Sequence, residues 1–259
     1  MKLFSYSTLL VFTLLSLSSC MQAKRVAGSG KIVKKEVKIN SSFNTLKLLG
    51  SPDVIYKQIE GTPKIEISCS DNLVDLLDIK VKNGALLVKF KSGLNIFNRG
   101  KVEVRVYAPA LEAFSIQGSG DISLINGIKT DKNLAFSIQG SGDITGKSIV
   151  CSGLKLSVIG SGDMDLNDLQ VNHTSANITG SGDIALSGKS KKSDFKVTGS
   201  GDISAVKLLS DKVHVGISGS GDVSCYATEF LSGSVSGSGS VGYKGSPSIH
   251  FSRKGLYKL

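Results

Sequence analysis

Carboxylates recurring at a fixed interval are the groups of this chain best placed to do chemistry. Asp121, Asp143, Asp163, Asp183, Asp202 and Asp222 each close a Gly-Ser-Gly-Asp tetrapeptide, and Gly237-Ser238-Gly239-Ser240 ends the series in degenerate form. The intervals between fourth positions are 22, 20, 20, 19, 20 and 18 residues. If every copy occupies the same point of a stacked repeat, neighbouring carboxylates stand about 4.8 Å apart. Two unit charges at that distance repel by about 0.9 kcal/mol in water and about 3.5 kcal/mol at an effective dielectric of 20. Calcium between coils would relieve the repulsion and make a cation ladder. The alternative is architectural: each Asp accepts hydrogen bonds from backbone N–H groups of its own tight turn, where glycine permits positive φ. The second carboxylate found in calcium-binding repeats is missing here, which favours architecture and predicts no obligatory cofactor.

The remaining reactive groups form no familiar constellation. His173, His214 and His250 fall in different repeats, and His214, between Val213 and Val215, is predicted to point outward from a strand. Gly-Ser-Gly recurs too often to be a nucleophile elbow, which needs one strand-to-helix turn and a histidine partner. No helix follows Gly-x-Gly, so a phosphate cradle is not expected either. Beyond Cys20 there are three cysteines, Cys69, Cys151 and Cys225, without zinc-type spacing and enough for one intramolecular disulfide at most.

The elements that position the aspartates are short strands. An alternating run such as Phe136-Ser137-Ile138-Gln139 or Phe195-Lys196-Val197-Thr198 precedes each motif, and a shorter one such as Ile184-Ala185-Leu186 follows it. Period-two alternation marks a half-buried strand. One repeat therefore reads as strand, Gly-Ser-Gly bend, strand and variable loop. Such a unit buries its apolar face only by stacking on its neighbours. The predicted fold is all-β: a parallel β-solenoid, or single-stranded β-helix, with coils of about 20 residues over 116–245. Residues 31–115 are β-rich without the strict repeat and are expected to form irregular N-terminal coils or a cap. Gly50-Ser51-Pro52-Asp53 looks like an early, altered copy of the motif, and 72–77 suggests one helical turn capped by Asp71. Residues 246–259 are expected to be a last strand and tail.

Residues 1–19 read as an export signal. Lys2 supplies the positive start, Leu9–Leu15 the apolar run, and Leu17-Ser18-Ser19-Cys20 resembles the bacterial lipobox, in which the cysteine is lipidated. Several acyl chains on Cys20 would hold the protein on a membrane without a spanning helix. Residues 20–30 then form a tether. No acidic run follows Cys20, which leans toward the periplasmic face of an outer membrane. Cleavage would lower the net charge from +10 to +9 by removing Lys2. A basic surface suits anionic headgroups or acidic glycans; export argues against nucleic acid.

Taken together, the lipobox, Gly28-Ser29-Gly30-Lys31, the stretch from Phe43 to Asp53, Asp71-Asn72-Leu73, Asn83-Gly84-Ala85-Leu86 and the Gly-Ser-Gly-Asp series resemble the auto-transporter adhesin, head GIN family. The resemblance runs from about Lys31 to about Tyr243. It implies one β-helix-like fold in the bacterial cell envelope and brings no catalytic residues. The expected function is a non-catalytic lipoprotein whose solenoid binds a surface polymer, glycan or protein. Two alternatives stay open: a carbohydrate-active β-helix enzyme, and a structural or sensory envelope component with no ligand. The enzyme reading is weakened by the absence of tryptophan and by aspartates that recur instead of converging.

Overall fold

The structure is a computed structural model that describes residues 24–39, 41–97, 100–252 and 255–259. Cys20 and the export signal lie outside the described residues, as does Lys254 in the C-terminal tail.

The first part of the chain builds one coil and then closes its outer end. β1 (Lys24–Ala27), β2 (Ile32–Val37), β3 (Thr45–Gly50), β4 (Asp53–Gln58) and β5 (Lys64–Ser70) lead into α1 (Asp71–Val74), then β6 (Leu77–Lys82), β7 (Ala85–Phe90), β8 (Leu94–Phe97) and β9 (Glu103–Ala108). β7 lies parallel to β3 and β9 parallel to β4, so these two strands form a coil on the outer side of β3–β4. Antiparallel strands cover that coil: β6 on β7, β5 on β9, and β2 on β5. Ile67, Cys69, Leu73, Val74, Leu77 and Val102 make a small second core under this cover. The lid thus hides the end of the apolar column from water, as a terminal repeat must.

The chain then returns to the other side of β3–β4 and stacks coil upon coil. β10 (Ala113–Gly118), β11 (Ile122–Leu124), β12 (Ile128–Lys129) and β13 (Leu134–Gly140) are followed by the long strands β14 (Ile144–Gly160), β15 (Met164–Gly180), β16 (Ile184–Gly199), β17 (Ile203–Gly219) and β18 (Val223–Gly237). β19 (Val241–Lys244), β20 (Ser248–Phe251) and β21 (Leu256–Lys258) finish the stack. Between β14 and β15 the pairing is interrupted at two corners without a change of register, giving three ladders: Ile144–Lys147 on Met164–Asn167, Ile149–Cys151 on Leu169–Val171, and Gly153–Gly160 on His173–Gly180. We call these the first, second and third ladders.

Apolar residues of like position run in columns through the stack. Ile122, Ile144, Met164, Ile184, Ile203, Val223 and Val241 form one, and Ile116, Ile138, Val158, Ile178, Val197 and Ile217 another; all are buried. Phe114 stacks on Phe136 with ring centroids 5.2 Å apart and meets Tyr56 edge-on at 4.9 Å. At about 25 cal/mol per Å² these apolar columns supply the main drive for stacking.

Three local expectations are corrected. The stretch read as a variable loop is the second ladder in most coils. Asp71 does not cap the helix: Ser70 is the N-cap residue, and Asp71 is the first helical residue, accepting from the Ser29 hydroxyl at 2.6 Å and the Asn72 N–H at 2.7 Å. The helical turn also stops at Val74, and Leu77 already begins β6. In addition, Lys24–Ala27, within the stretch expected to be a tether, pairs in parallel with Leu94–Phe97.

The third position of the turn motif tests this packing directly. A Cβ on Gly162 would collide with the Gly142 carbonyl of the preceding coil, whereas Ser161 is exposed. Gly162→Ala is expected to cost about 1–3 kcal/mol and Ser161→Ala less than about 0.5 kcal/mol. Thermal unfolding of the two variants measures the contrast.

Candidate functional site

All six predicted aspartates are brought into one column, and the structure shows what each does. In every Gly-Ser-Gly-Asp turn the first glycine has φ between +124° and +140° in the seven copies from Gly118 to Gly237. That conformation aims the next three N–H groups at the coil before. The Ser and second Gly N–H groups both donate to the first-Gly carbonyl of that coil, at 2.8–2.9 Å and 3.0–3.2 Å. The Asp N–H has no carbonyl in reach, and the side chain of the previous coil's aspartate takes that place. Asp143 N–H donates to Asp121 Oδ1 at 2.9 Å, Asp163 to Asp143 at 2.8 Å, Asp183 to Asp163 at 2.7 Å, Asp202 to Asp183 at 2.8 Å and Asp222 to Asp202 at 2.7 Å.

The acceptor therefore serves the neighbouring coil, and the expectation that each carboxylate binds its own turn is corrected. The ends of the column explain the altered copies. Asp53 accepts from Asp121 N–H at 3.2 Å, so Gly50-Ser51-Pro52-Asp53 is the first turn. Pro52 has no N–H to place, and the covering coil departs there through β8. At the far end the Ser240 N–H and hydroxyl both donate to Asp222 Oδ1, at 2.7 and 2.8 Å. A final turn has no following Asp N–H to receive, so a carboxylate is not required. Among the described residues no group of three or more His, Cys, Asp or Glu side chains is arranged to hold a metal ion.

Sequence reasoning missed a different convergence. His214 lies over Asp194 in register, and His250 continues the same column through Ser232. His173 reaches the column from the adjacent one: its Nε2 is 2.7 Å from Asp194 Oδ2. Lys192 Nζ is 3.1 Å from the same oxygen. Partial burial works against ionisation of Asp194, and the hydrogen bonds from His173 and Lys192 outweigh it, so its carboxyl titrates below the usual range. The histidines thus share one edge of the third ladder. The signal was present in the separations, which approximate one or two coil lengths.

Among the described residues Cys69, Cys151 and Cys225 are free and buried. Burial raises the Cys151 thiol to about 11 and the Cys225 thiol to about 12, so neither is a nucleophile near neutrality. Four hydroxyls inside the stack are also accounted for: Thr174 donates to Ser190 at 3.1 Å, Ser190 to the Lys192 carbonyl at 2.7 Å, and Ser193 and Ser210 pair at 2.8 Å.

A family model described as "Putative auto-transporter adhesin, head GIN domain" matches residues 42–247. The chain belongs to this family. No functionally curated protein is similar to this head GIN chain in sequence. Among solved structures it is similar to a putative lipid binding protein from Parabacteroides distasonis, with a TM-score of 0.84 and 29% identity over 91% of this chain and 100% of the other. It is also similar to a putative adhesin from Parabacteroides merdae, with a TM-score of 0.83 and 28% identity over 91% and 97%. A putative adhesin from Bacteroides fragilis aligns with a TM-score of 0.70 and 27% identity over 90% and 100%. The β-solenoid and the adhesin-type family are common ground with the expectation from sequence.

Removing one acceptor from the head GIN turn column separates the two roles of aspartate. Asp163→Asn keeps an oxygen acceptor and sheds a repelling charge, so stability is expected to hold or rise. Asp163→Ala leaves the Asp183 N–H to solvent and is expected to cost about 1 kcal/mol. Thermal midpoints in calcium and in excess chelator are expected to coincide for the unsubstituted protein; a cation ladder would separate them.

Proposed function

We propose that this protein is a non-catalytic, lipid-anchored envelope adhesin whose solenoid is a stiff rod that binds a surface polymer along one side. The observation that carries the reading is the outer surface of the third ladder. Gln117, Gln139, Ile159, Thr179, Thr198, Ser218 and Ser236 form one exposed column in register, and Ser115, Ser137, Ser157, Asn177 and Lys196 form the column beside it. Mostly polar side chains, interrupted by Ile159, stand at a constant coil spacing and give many weak contacts, and linked contacts add through effective concentration. Eight turns stacked at about 4.8 Å make a rod about 34 Å long. A catalytic reading needs groups that converge; here the carboxylates of the turns are spread along the rod and each is committed to the next coil.

The lipobox-like Leu17-Ser18-Ser19-Cys20 supports the anchor. Cys20 precedes β1 by four residues, a reach of at most about 14 Å. A lipid on Cys20 would hold the covered end of the rod, near β1 and β8, against the membrane and leave the later coils to project from it. The structural neighbours named as adhesins and as a lipid binding protein are consistent with a binding role of this kind.

Two measurements test the reading. Cys20→Ser is expected to move the protein from the membrane to the soluble fraction of fractionated cells. Beads carrying the detergent-solubilised full chain are expected to adhere to films of polygalacturonate or mucin, and Thr179→Glu with Thr198→Glu to reduce adhesion at least fivefold. Adhesion to neither film, or adhesion indifferent to the double variant, would contradict a polymer-binding third ladder.

A further inference from the structure

The outward column at the edge of the third ladder is interrupted at one coil. Its members are Asn133, Gly153, His173, Lys192, Lys212 and Phe230, and Gly153 alone brings no side chain. The gap is a groove of about 380 Å³. Asn133 and His173, on the coils either side of Gly153, line it, and the Asn133 side chain leans over Gly153 with its amide oxygen 2.7 Å from where a Cβ would stand. Half-buried Ala135 and Gly153 give it an apolar patch over the buried Leu134 and Leu154, and Lys155 and Ser175 flank one side. Among the described groups this edge therefore offers a shallow notch with an apolar patch at Ala135 and Gly153 and polar groups around it.

The charges around the notch are unequal in their commitments. Lys132 is paired with Glu112, and Lys192 with Asp194. Lys155 is exposed, and the ion pairs of the described residues do not include it. Asp194 holds His173 through Nε2, which leaves Nδ1 as the ring's remaining polar atom. A neutral imidazole bonded this way accepts a hydroxyl proton at Nδ1, and a protonated one donates there. Asn133 adds an amide that both donates and accepts. An apolar patch for the C–H face of a ring, hydrogen-bonding groups beside it, and one uncommitted ammonium suit a sugar bearing a carboxylate.

We propose that the Gly153 notch is a subsite for one uronic acid residue of an acidic polysaccharide, with Lys155 taking the carboxylate and Asn133 and His173 taking ring hydroxyls. The proposal rests on the polymer-binding reading above and makes it specific: the repeated columns supply register-tolerant contacts, and the single notch fixes one sugar. A polymer seated there continues onto the third ladder, because Ala135, Lys155 and Ser175 occupy one column of that ladder.

The test is the affinity of the detergent-solubilised full chain for hexagalacturonate, with maltohexaose as the neutral oligosaccharide and a heparin hexasaccharide as a charge control. Gly153→Leu fills the notch on an outward strand position, where the added Cβ, 2.7 Å from the Asn133 amide oxygen, displaces the flexible end of that side chain, and removes no charge. Lys155→Ala removes the ammonium from an exposed site. Hexagalacturonate is expected to bind at least tenfold more tightly than maltohexaose, and each variant to lose at least tenfold in affinity, while Lys244→Ala changes it less than twofold. Absence of hexagalacturonate binding, equal binding of maltohexaose, or an affinity unmoved by Lys155→Ala overturns the proposal. Heparin bound as tightly as hexagalacturonate, with both indifferent to Gly153→Leu, would show bulk charge attraction and overturn it as well. Beads that still adhere through Thr179 and Thr198 while hexagalacturonate ignores the notch variants leave the adhesive reading standing; beads that adhere to nothing remove both.

Discussion

At the Gly-Ser-Gly-Asp turn, two backbones must pass close enough for consecutive N–H groups of one coil to reach the coil before it. Everything else in the stack adapts to that approach. The first glycine adopts a φ that side-chain-bearing residues rarely take, and the second lies where a Cβ would strike the preceding coil's carbonyl. With the turn fixed, the residues before and after it are held in register, and the Ile, Val, Leu and Phe columns fill the interior. The apolar columns favour stacking in general; the turn selects one register from those that alternation alone would allow.

Aspartate completes this turn because a side-chain oxygen supplies the acceptor that the backbone lacks. The cost is a row of like charges about 4.8 Å apart, exposed enough for water and salt to screen. The ends of the row reveal the logic. Pro52 replaces glycine where no N–H is called for, and Ser240 replaces aspartate where no following N–H arrives. A carboxylate array that resembles a metal ladder in sequence is, in its hydrogen bonds, a set of coil-to-coil ties.

The period, the turn and the inward columns were legible in the sequence because they repeat, and repetition separates signal from local noise. The second ladder was not. Its register shifts between Leu166 and Leu169, between Ala185 and Ser187, and between Ala205 and Leu209 break the alternation that identifies strands. The order of the first coils was hidden for a different reason: β3–β4 sits between a coil formed after it and the rest of the solenoid, and nothing local records that return. The edge shared by His173, Asp194, His214 and His250, and the notch at Gly153, become visible only when residues are aligned modulo one coil. A lone glycine in a strand is unremarkable until its column neighbours are known to be large.

The central claim is that each turn aspartate holds the amide of the next coil. Amide hydrogen exchange at Asp163 and Asp183, read by NMR in the unsubstituted protein and in Asp143→Ala, tests it most directly. The account predicts that both amides are protected in the unsubstituted protein, and that Asp143→Ala speeds exchange at Asp163 at least tenfold while Asp183 keeps its protection. Rapid exchange at both amides in the unsubstituted protein, or an Asp163 amide indifferent to the loss of the Asp143 carboxylate, would contradict it.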